Sequence, residues 1–248
     1  MSKSKTPGYG SDLAYIHDLG FGGFARSAAA WLLEYFSSQR ITEGLVIDLG
    51  CGSGILAAAL VQAGYEVLGY DLSPAMIDIS RRRVPTAKFV ACSFLEADLP
   101  PCIAVTAIGE IFNYAFDGAN SARELAKLFG RVYDALLPGG VFVFDGAEPG
   151  RAGKSGQTRN FTEGEDWACL FTAQEDRRRK TLTREITSFR KVGKHYRRDH
   201  ETHVLRLFDR RQILAQLRSH GFRVRTLDSY GSMSFPPGYV GVVAHKPK

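Results

Sequence analysis

A chain of 248 residues, 44% of them hydrophobic, is long enough for one large α/β domain and apolar enough to bury a core, which excludes a disordered chain. The net charge of +6 is concentrated between Arg151 and His200, where 13 Lys and Arg face 7 Asp and Glu. Such asymmetry suits a nucleic-acid surface or a pocket for an acidic substrate. The four cysteines, Cys51, Cys92, Cys102 and Cys169, show neither zinc-site nor disulfide spacing. No stretch approaches the roughly 18 apolar residues of a membrane helix. The opening Met1-Ser2-Lys3-Ser4-Lys5-Thr6-Pro7-Gly8 lacks the apolar core of a signal peptide, so a soluble, cytoplasmic protein is expected.

In chain order, residues 15–23 are too rich in glycine for a regular element. Residues 24–36 carry Ala28, Trp31, Leu32 and Tyr35 at helical spacing and predict an amphipathic helix. From 45 to 146, apolar runs alternate with helical patterns, which predicts right-handed βαβ units in a parallel sheet. Strands are expected near 45–49, 66–71, 87–91, 103–108 and 141–146, and helices near 54–63, 74–83 and 121–136. Ser73-Pro74 offers a capping serine and a proline for the first turn. Residues 151–164 read as loop. Partial alternation over 166–174, 180–190 and 195–207, broken by charged turns, predicts a small antiparallel sheet. Asp209 then caps a helix through Arg218, and strands follow at 222–228 and 239–245.

The chemistry concentrates early. Leu45-Val46-Ile47-Asp48-Leu49 is an apolar run, and glycines at every second position follow it: Gly50, Gly52 and Gly54 around Cys51. Glycine tolerates positive φ and lets another molecule approach the backbone. The next strand, Glu66-Val67-Leu68-Gly69-Tyr70-Asp71, ends in an acid. A strand, a glycine turn, a helix and an acid about 20 residues on form a nucleoside cradle whose acid faces a ribose diol. A dinucleotide fingerprint would need a small residue where Ile55 stands.

The string Val46-Ile47-Asp48-Leu49-Gly50-Cys51-Gly52-Ser53-Gly54 resembles the first motif of class I S-adenosylmethionine-dependent methyltransferases. Gly69 to Ile77, Thr106 to Glu110 and Leu136 to Asp145 resemble three further motifs of that family, in the same order. The resemblance implies an α/β, Rossmann-like sheet of seven strands with helices on both faces and an antiparallel hairpin at its end. It implies S-adenosylmethionine as cofactor, with Gly50, Gly52 and Gly54 beneath its methionyl part, Asp71 on the ribose and Leu72 on the adenine. Ser93 stands where the family often has an adenine-binding acid, with Phe94 offering its amide beside it. Ile108 and Gly109 would border the methionyl group, and Asp48 and Cys51 belong to the same loop. An N-terminal segment folding over the cofactor makes Tyr15, His17 and Arg26 candidate contacts, against plain local packing. No metal site is expected. The chain would then divide into a capping segment (1–44), a cofactor-binding core (45–150), an antiparallel β insertion acting as a lid (151–207) and a completing helix and hairpin (208–248).

Methyl transfer needs alignment, exclusion of water and often removal of a proton. In an open α/β sheet that happens beyond the carboxyl ends of the strands. Glu110 and Asn113 are therefore the candidate catalytic residues, with Phe112, Tyr114 and Phe116 as either an aromatic wall or core. His195, His200 and His203 could reach the pocket from the insertion, but each reads as an exposed strand residue. The expected acceptor is a small molecule. The alternatives are RNA or DNA held by Arg177-Arg178-Arg179-Lys180 and Lys191 to Arg198, or cofactor binding without catalysis.

Overall fold

The computed structural model describes residues 8–248, so the polar leader at 1–7 lies outside the described residues. Two helices come first, α1 (Ser11–Gly20) and α2 (Gly23–Ser38). The alternating unit follows as β1 (Leu45–Leu49), α3 (Ile55–Gln62), β2 (Glu66–Asp71), α4 (Pro74–Arg83), β3 (Lys88–Ala91), β4 (Cys102–Ala107), α5 (Ala122–Ala135) and β5 (Leu136–Ala147). Four antiparallel strands are β6 (Gln157–Glu163), β7 (Trp167–Asp176), β8 (Thr181–Val192) and β9 (His195–Arg206). The chain closes with α6 (Arg210–Ser219), β10 (Arg223–Leu227), the short pair β11 (Ser229–Tyr230) and β12 (Met233–Ser234), and β13 (Tyr239–His245).

The main sheet has seven strands in the order β10-β13-β5-β4-β1-β2-β3. β13 runs antiparallel to both its neighbours, and the five strands from β5 to β3 are parallel. Strands buried on both faces read as continuous apolar runs, as β1 does. Alternation along β5 sends Phe142 and Phe144 to one face, where α5 and α6 supply Leu128, Phe129, Val132 and Leu217. It sends Val141 and Val143 to the other face, where α2 and α3 supply Leu32, Phe36, Leu56 and Leu60. The α5 stripe at Leu125, Leu128, Phe129 and Val132 is the i, i+3, i+4, i+7 pattern of a helix lying on a sheet. Ser121, Ser73 and Asp209 each cap a helix by accepting a main-chain N–H three residues on.

Two segments differ from the sequence reading. Residues 15–20, within the 15–23 stretch expected to be too glycine-rich for a regular element, belong to helix α1, because Leu13 and Ile16 dock against Trp167, Cys169 and Ile186 of the second sheet. Residues 157–163, read as loop, form the edge strand β6, almost wholly exposed and ordered by main-chain pairing to β7.

The four-stranded sheet is tied down at both ends. Phe208 donates its N–H to the Ala147 carbonyl at 2.7 Å, and Ala115 donates to Val204 at 2.8 Å. At the other end, the buried Asp12 carboxylate accepts from Arg190 at 3.2 Å and from Arg197, while Tyr15 donates to Asp166 at 2.8 Å. The two guanidiniums hold Asp12 below the usual carboxylate range against the opposing effect of burial, the Arg197 hydrogen bond contributing most. Asp12→Asn should speed amide exchange across α1 about ten- to a hundred-fold, matching loss of charged hydrogen bonds of about 1.5–3 kcal/mol, with α5 unaffected. Hydrogen exchange followed by mass spectrometry reads both helices at once.

Candidate active site

A cavity of about 590 Å³ lies between the carboxyl end of β1 and the inner face of β7, β8 and β9. That is the size range of small-ligand sites. Its floor is the turn after β1. Gly50, Gly52 and Gly54 hold φ of 71°, 53° and 78°, a left-handed conformation that only glycine takes readily. A side chain built at Gly52 or Gly109 would meet nothing within 4 Å, so the main chain there is bare toward the space a ligand would fill. Asp71 closes the cradle. Its Oδ2 accepts from Gly52 N–H at 2.9 Å and its Oδ1 from Ser73 N–H at 2.8 Å, which leaves each oxygen a second lone pair. Burial raises the Asp71 pKa to about 6 against those two hydrogen bonds. Asp48, beneath the turn, accepts from the Thr106 hydroxyl at 2.7 Å, and burial pushes it to about 7. A nucleoside with a vicinal diol fits this donor set, and so does a cationic group near Asp48.

The far wall is built on a buried carboxylate. Asp145, at the end of β5, has no exposure and accepts from Gly109 N–H (2.9 Å), Glu110 N–H (2.7 Å), Tyr230 OH (2.9 Å) and Tyr239 OH (2.5 Å). Burial lifts it to about 6 despite the four donors. The two amides hold Glu110 at φ 62°, a strained conformation for a residue with a side chain. Its carboxylate then accepts from Arg151 Nε and Arg184 Nη2, each at 2.7 Å. Burial would raise the Glu110 pKa, but Arg184 and Arg151 together hold it below the usual range.

These contacts revise the two catalytic candidates. Glu110 lines the cavity, but each of its oxygens is paired with a guanidinium and those pairs hold its pKa below the usual range, which makes it a weak base. Asn113 does not line the cavity. It is fully buried, accepts from Ala147 N–H at 2.9 Å, and donates to the carbonyls of Ala147 (3.0 Å) and Arg206. It fastens the second sheet to β5. The sequence reading saw a polar residue at a strand end, and could not see that three main-chain groups already satisfied it.

Asp48, Gly50, Cys51, Gly52, Asp71, Ile108 and Gly109 all line the cavity, while Gly54, Leu72, Ser93, Phe94 and Tyr15 do not. Gly54 instead packs the start of α3 on Ser80, and Phe94 packs edge-on against Phe112. Ser93 donates to the Asp117 carboxylate of the loop after β4, and neither residue lines the cavity. Tyr15 is spent on Asp166, with Arg190 stacked 3.6 Å over its ring. Of the three aromatics, Phe112 is core and Tyr114 faces the cavity.

Arg151, Arg184, Tyr9 and Tyr239 were not read as site residues, yet all line the cavity. Arg184 had a visible signal: it interrupts Leu182-Thr183-Arg184-Glu185-Ile186 at an inward position of an apolar alternation. His203, read as exposed, is 1% exposed and faces the cavity, whereas His195 is exposed. Replacing Asn113 by alanine should cost about 2–4 kcal/mol of stability by stranding buried main-chain groups. Urea denaturation would show this as a lower midpoint.

Comparison with known proteins agrees with this geometry. A family model described as a methyltransferase domain matches residues 21–227. YqeM of Bacillus subtilis (strain 168), which carries a provisional methyltransferase name, is 23% identical over 195 residues, covering 77% of this chain and 78% of that protein. The ribosomal protein L11 methyltransferase of Pseudomonas fluorescens (strain SBW25) is 30% identical over 151 residues, which are 58% of this chain and only 48% of that protein. The sugar N-methyltransferase KedS8 from Streptoalloteichus sp ATCC 53650 superposes with a TM-score of 0.75 at 23% identity, covering 100% of this chain and 99% of that one. Because the family match spans the glycine cradle, the parallel sheet and the second sheet together, the chain belongs to the methyltransferase-domain family, as a class I S-adenosylmethionine-dependent methyltransferase.

Proposed function

We propose that this methyltransferase transfers a methyl group to a nitrogen or oxygen of a small molecule enclosed between the cradle and the second sheet. The observation that carries the proposal is the shared cavity. One volume of about 590 Å³ has the Gly50–Gly52 turn and Asp71 on one side and Phe171, Leu182, Arg184 and Ile186 on the other. S-adenosylmethionine, when bound, supplies a methyl group on a sulfonium, a leaving group that needs no covalent help from the protein.

The chain's own residues do the rest. Asp71, ionised above about pH 6, accepts the ribose hydroxyls through its remaining lone pairs. The bare main chain at Gly52 lets the amino-acid tail lie against it. Leu182, Ile186 and Phe171 keep water from the reacting atoms. Arg151, Arg159 and Arg184 outnumber Glu110 on the acceptor side, so an acceptor carrying a carboxylate or phosphate gains a partner there. KedS8 is named for a sugar nitrogen, which fits an acceptor of this size.

The nucleic-acid reading is less well supported. Part of the basic segment is already paired with buried carboxylates: Arg190 and Arg197 with Asp12, and Arg151 and Arg184 with Glu110. No helix among the described residues is long and apolar enough to cross a membrane.

Two measurements test the proposal. Calorimetric titration with S-adenosylmethionine should show affinity falling as pH is lowered through about 6, where the Asp71 carboxylate takes up a proton. Asp71→Ala should weaken binding about 10- to 100-fold, as loss of a charged hydrogen-bond acceptor implies, and remove that acidic limb. Production of S-adenosylhomocysteine should then appear with one or more of a panel of amino-sugar phosphates, phenolic acids and amino acids. Turnover with tRNA or ribosomal protein L11 alone would overturn the small-acceptor reading.

A further inference from the structure

We propose that β6 joins the β6 of a second copy of this chain, antiparallel about a two-fold axis through Phe161, so that two four-stranded sheets become one continuous sheet. β6 is the last strand of the second sheet and pairs with β7 alone. An open strand edge is a template for another strand, and proteins commonly blunt it with proline, lysine, a bulge or a covering segment. Gln157-Thr158-Arg159-Asn160-Phe161-Thr162-Glu163 has neither proline nor lysine, its register with β7 is unbroken, and every residue but Thr162 is exposed. The opposite edge of the sheet differs. There Tyr114 bridges to Leu205 and Ala115 N–H bonds to Val204, so β9 is partly covered and the pairing closes at two copies.

The main chain of β6 is arranged for such pairing. Glu175 N–H donates to the Gly156 carbonyl and Gly164 N–H to the Trp167 carbonyl, each at 2.9 Å, so the even-numbered residues of this stretch bond toward β7. The odd-numbered residues therefore turn their N–H and C=O groups to the open side. Phe161 N–H accordingly bonds to the side chain of its neighbour Asn160 at 2.9 Å, and Gln157 N–H to Ser155 Oγ at 3.3 Å. A second strand would replace these local bonds with a ladder.

Side-chain chemistry selects the partner and the register. Residues opposite one another across a ladder share a face. Arg159, Phe161 and Glu163 stand opposite Thr172, Leu170 and Ala168, while Phe171 and Ala173 of the other face line the cavity. Phe161 is 55% exposed and Leu170 44%, an apolar pair at an open edge. Neither Arg159 nor Glu163 has an ionic partner among the described residues. An axis through Phe161 sets the two Phe161 rings against each other and places Arg159 of each copy opposite the partner's Glu163. The open-side groups of 159, 161 and 163 then meet those of 163, 161 and 159, for about six main-chain hydrogen bonds. Moving the axis to Asn160 or Thr162 sets Arg159 or Glu163 against Phe161 instead. The strand is thus complementary to itself in charge, apolar contact and main-chain direction at one register. Arg159 also borders the cavity, so the joint lies at its mouth, and Arg151 and Arg184 still outnumber Glu110 on the acceptor side.

Sedimentation velocity of the full chain should show a monomer–dimer equilibrium between about 1 and 100 µM, as a small interface implies. Glu163→Arg sets like charges opposite each other twice and should weaken the dimer about 10- to 100-fold. Adding Arg159→Glu to that variant restores opposite signs and should recover most of the loss. Phe161→Cys puts a thiol of each copy on the axis, where opposed Cα atoms about 5.5 Å apart suit a disulfide. Mild oxidation should then give a 161–161 cross-link by peptide mass spectrometry, and Thr162→Cys should give none. A chain that stays monomeric at about 500 µM overturns the proposal, as does a dimer that the charge reversal leaves unchanged or that forms no 161–161 disulfide. Amide exchange over 157–163 should slow as the protein is concentrated. Protection already complete in the dilute monomer gives the edge to a segment of the same chain and overturns the proposal too. If Glu163→Arg does not fold, the cross-link and the exchange decide.

Discussion

The buried carboxylate of Asp145 is the constraint from which the working half of the molecule is built. A carboxylate with no exposure survives only if its lone pairs are filled, and here four donors from three parts of the chain converge on it. Two of those donors are the amides of Gly109 and Glu110, and they impose the turn that a side chain at 110 resists. The other two are Tyr230 and Tyr239, which bring the C-terminal strands against the end of β5. A loop, a hairpin and a parallel strand are thus fixed by one group. The cost of burial shows in the raised pKa, and the geometry is the return.

Glu110 passes that constraint on to the second sheet. Its carboxylate reaches Arg151 at the start of the insertion and Arg184 in the middle of β8, so the acceptor wall is held at a set distance from the end of β4. Asn113 makes the parallel connection through main chain, from Ala147 to Arg206. At the opposite end, Asp12 joins α1 to β8 and β9 by paired charges. The second sheet therefore hangs between two polar clamps, with a small apolar cluster near each: Ala173, Leu182 and Leu205 at one, Leu13, Trp167 and Ile186 at the other. Exposed β6 lies outside both clamps.

One chemical division runs through the cavity. The cradle side carries Asp48 and Asp71, carboxylates whose burial leaves them ready to meet a cation and a diol. The acceptor side carries guanidiniums and aromatic rings, with a single anion already neutralised. Under the proposed function, opposite charges on facing walls would give the two ligands of a transfer reaction different homes within one volume.

Much of this was legible in the residues alone. The parallel sheet, its helices, the glycine turn and the acid at 71 follow from local rules: apolar runs for buried strands, positive φ for glycine, caps at helix starts. The second sheet could be seen as alternation, although its edge strand could not, since β6 is exposed on nearly every residue and owes its form to its neighbour. Helix α1 was hidden for the same reason, its stability coming from Trp167 rather than from its own sequence. The polar roles were the least legible. Glu110 and Asn113 are identical in kind, as sequence, to surface residues; what distinguishes them is which partners fill their hydrogen-bonding capacity, and those partners lie tens of residues away. The chain order alone determined the fold and the nucleoside cradle, because both depend on near neighbours and backbone conformation. Only the tertiary structure decided which side chains are spent on holding the wall, because hydrogen-bond saturation is a property of packed space.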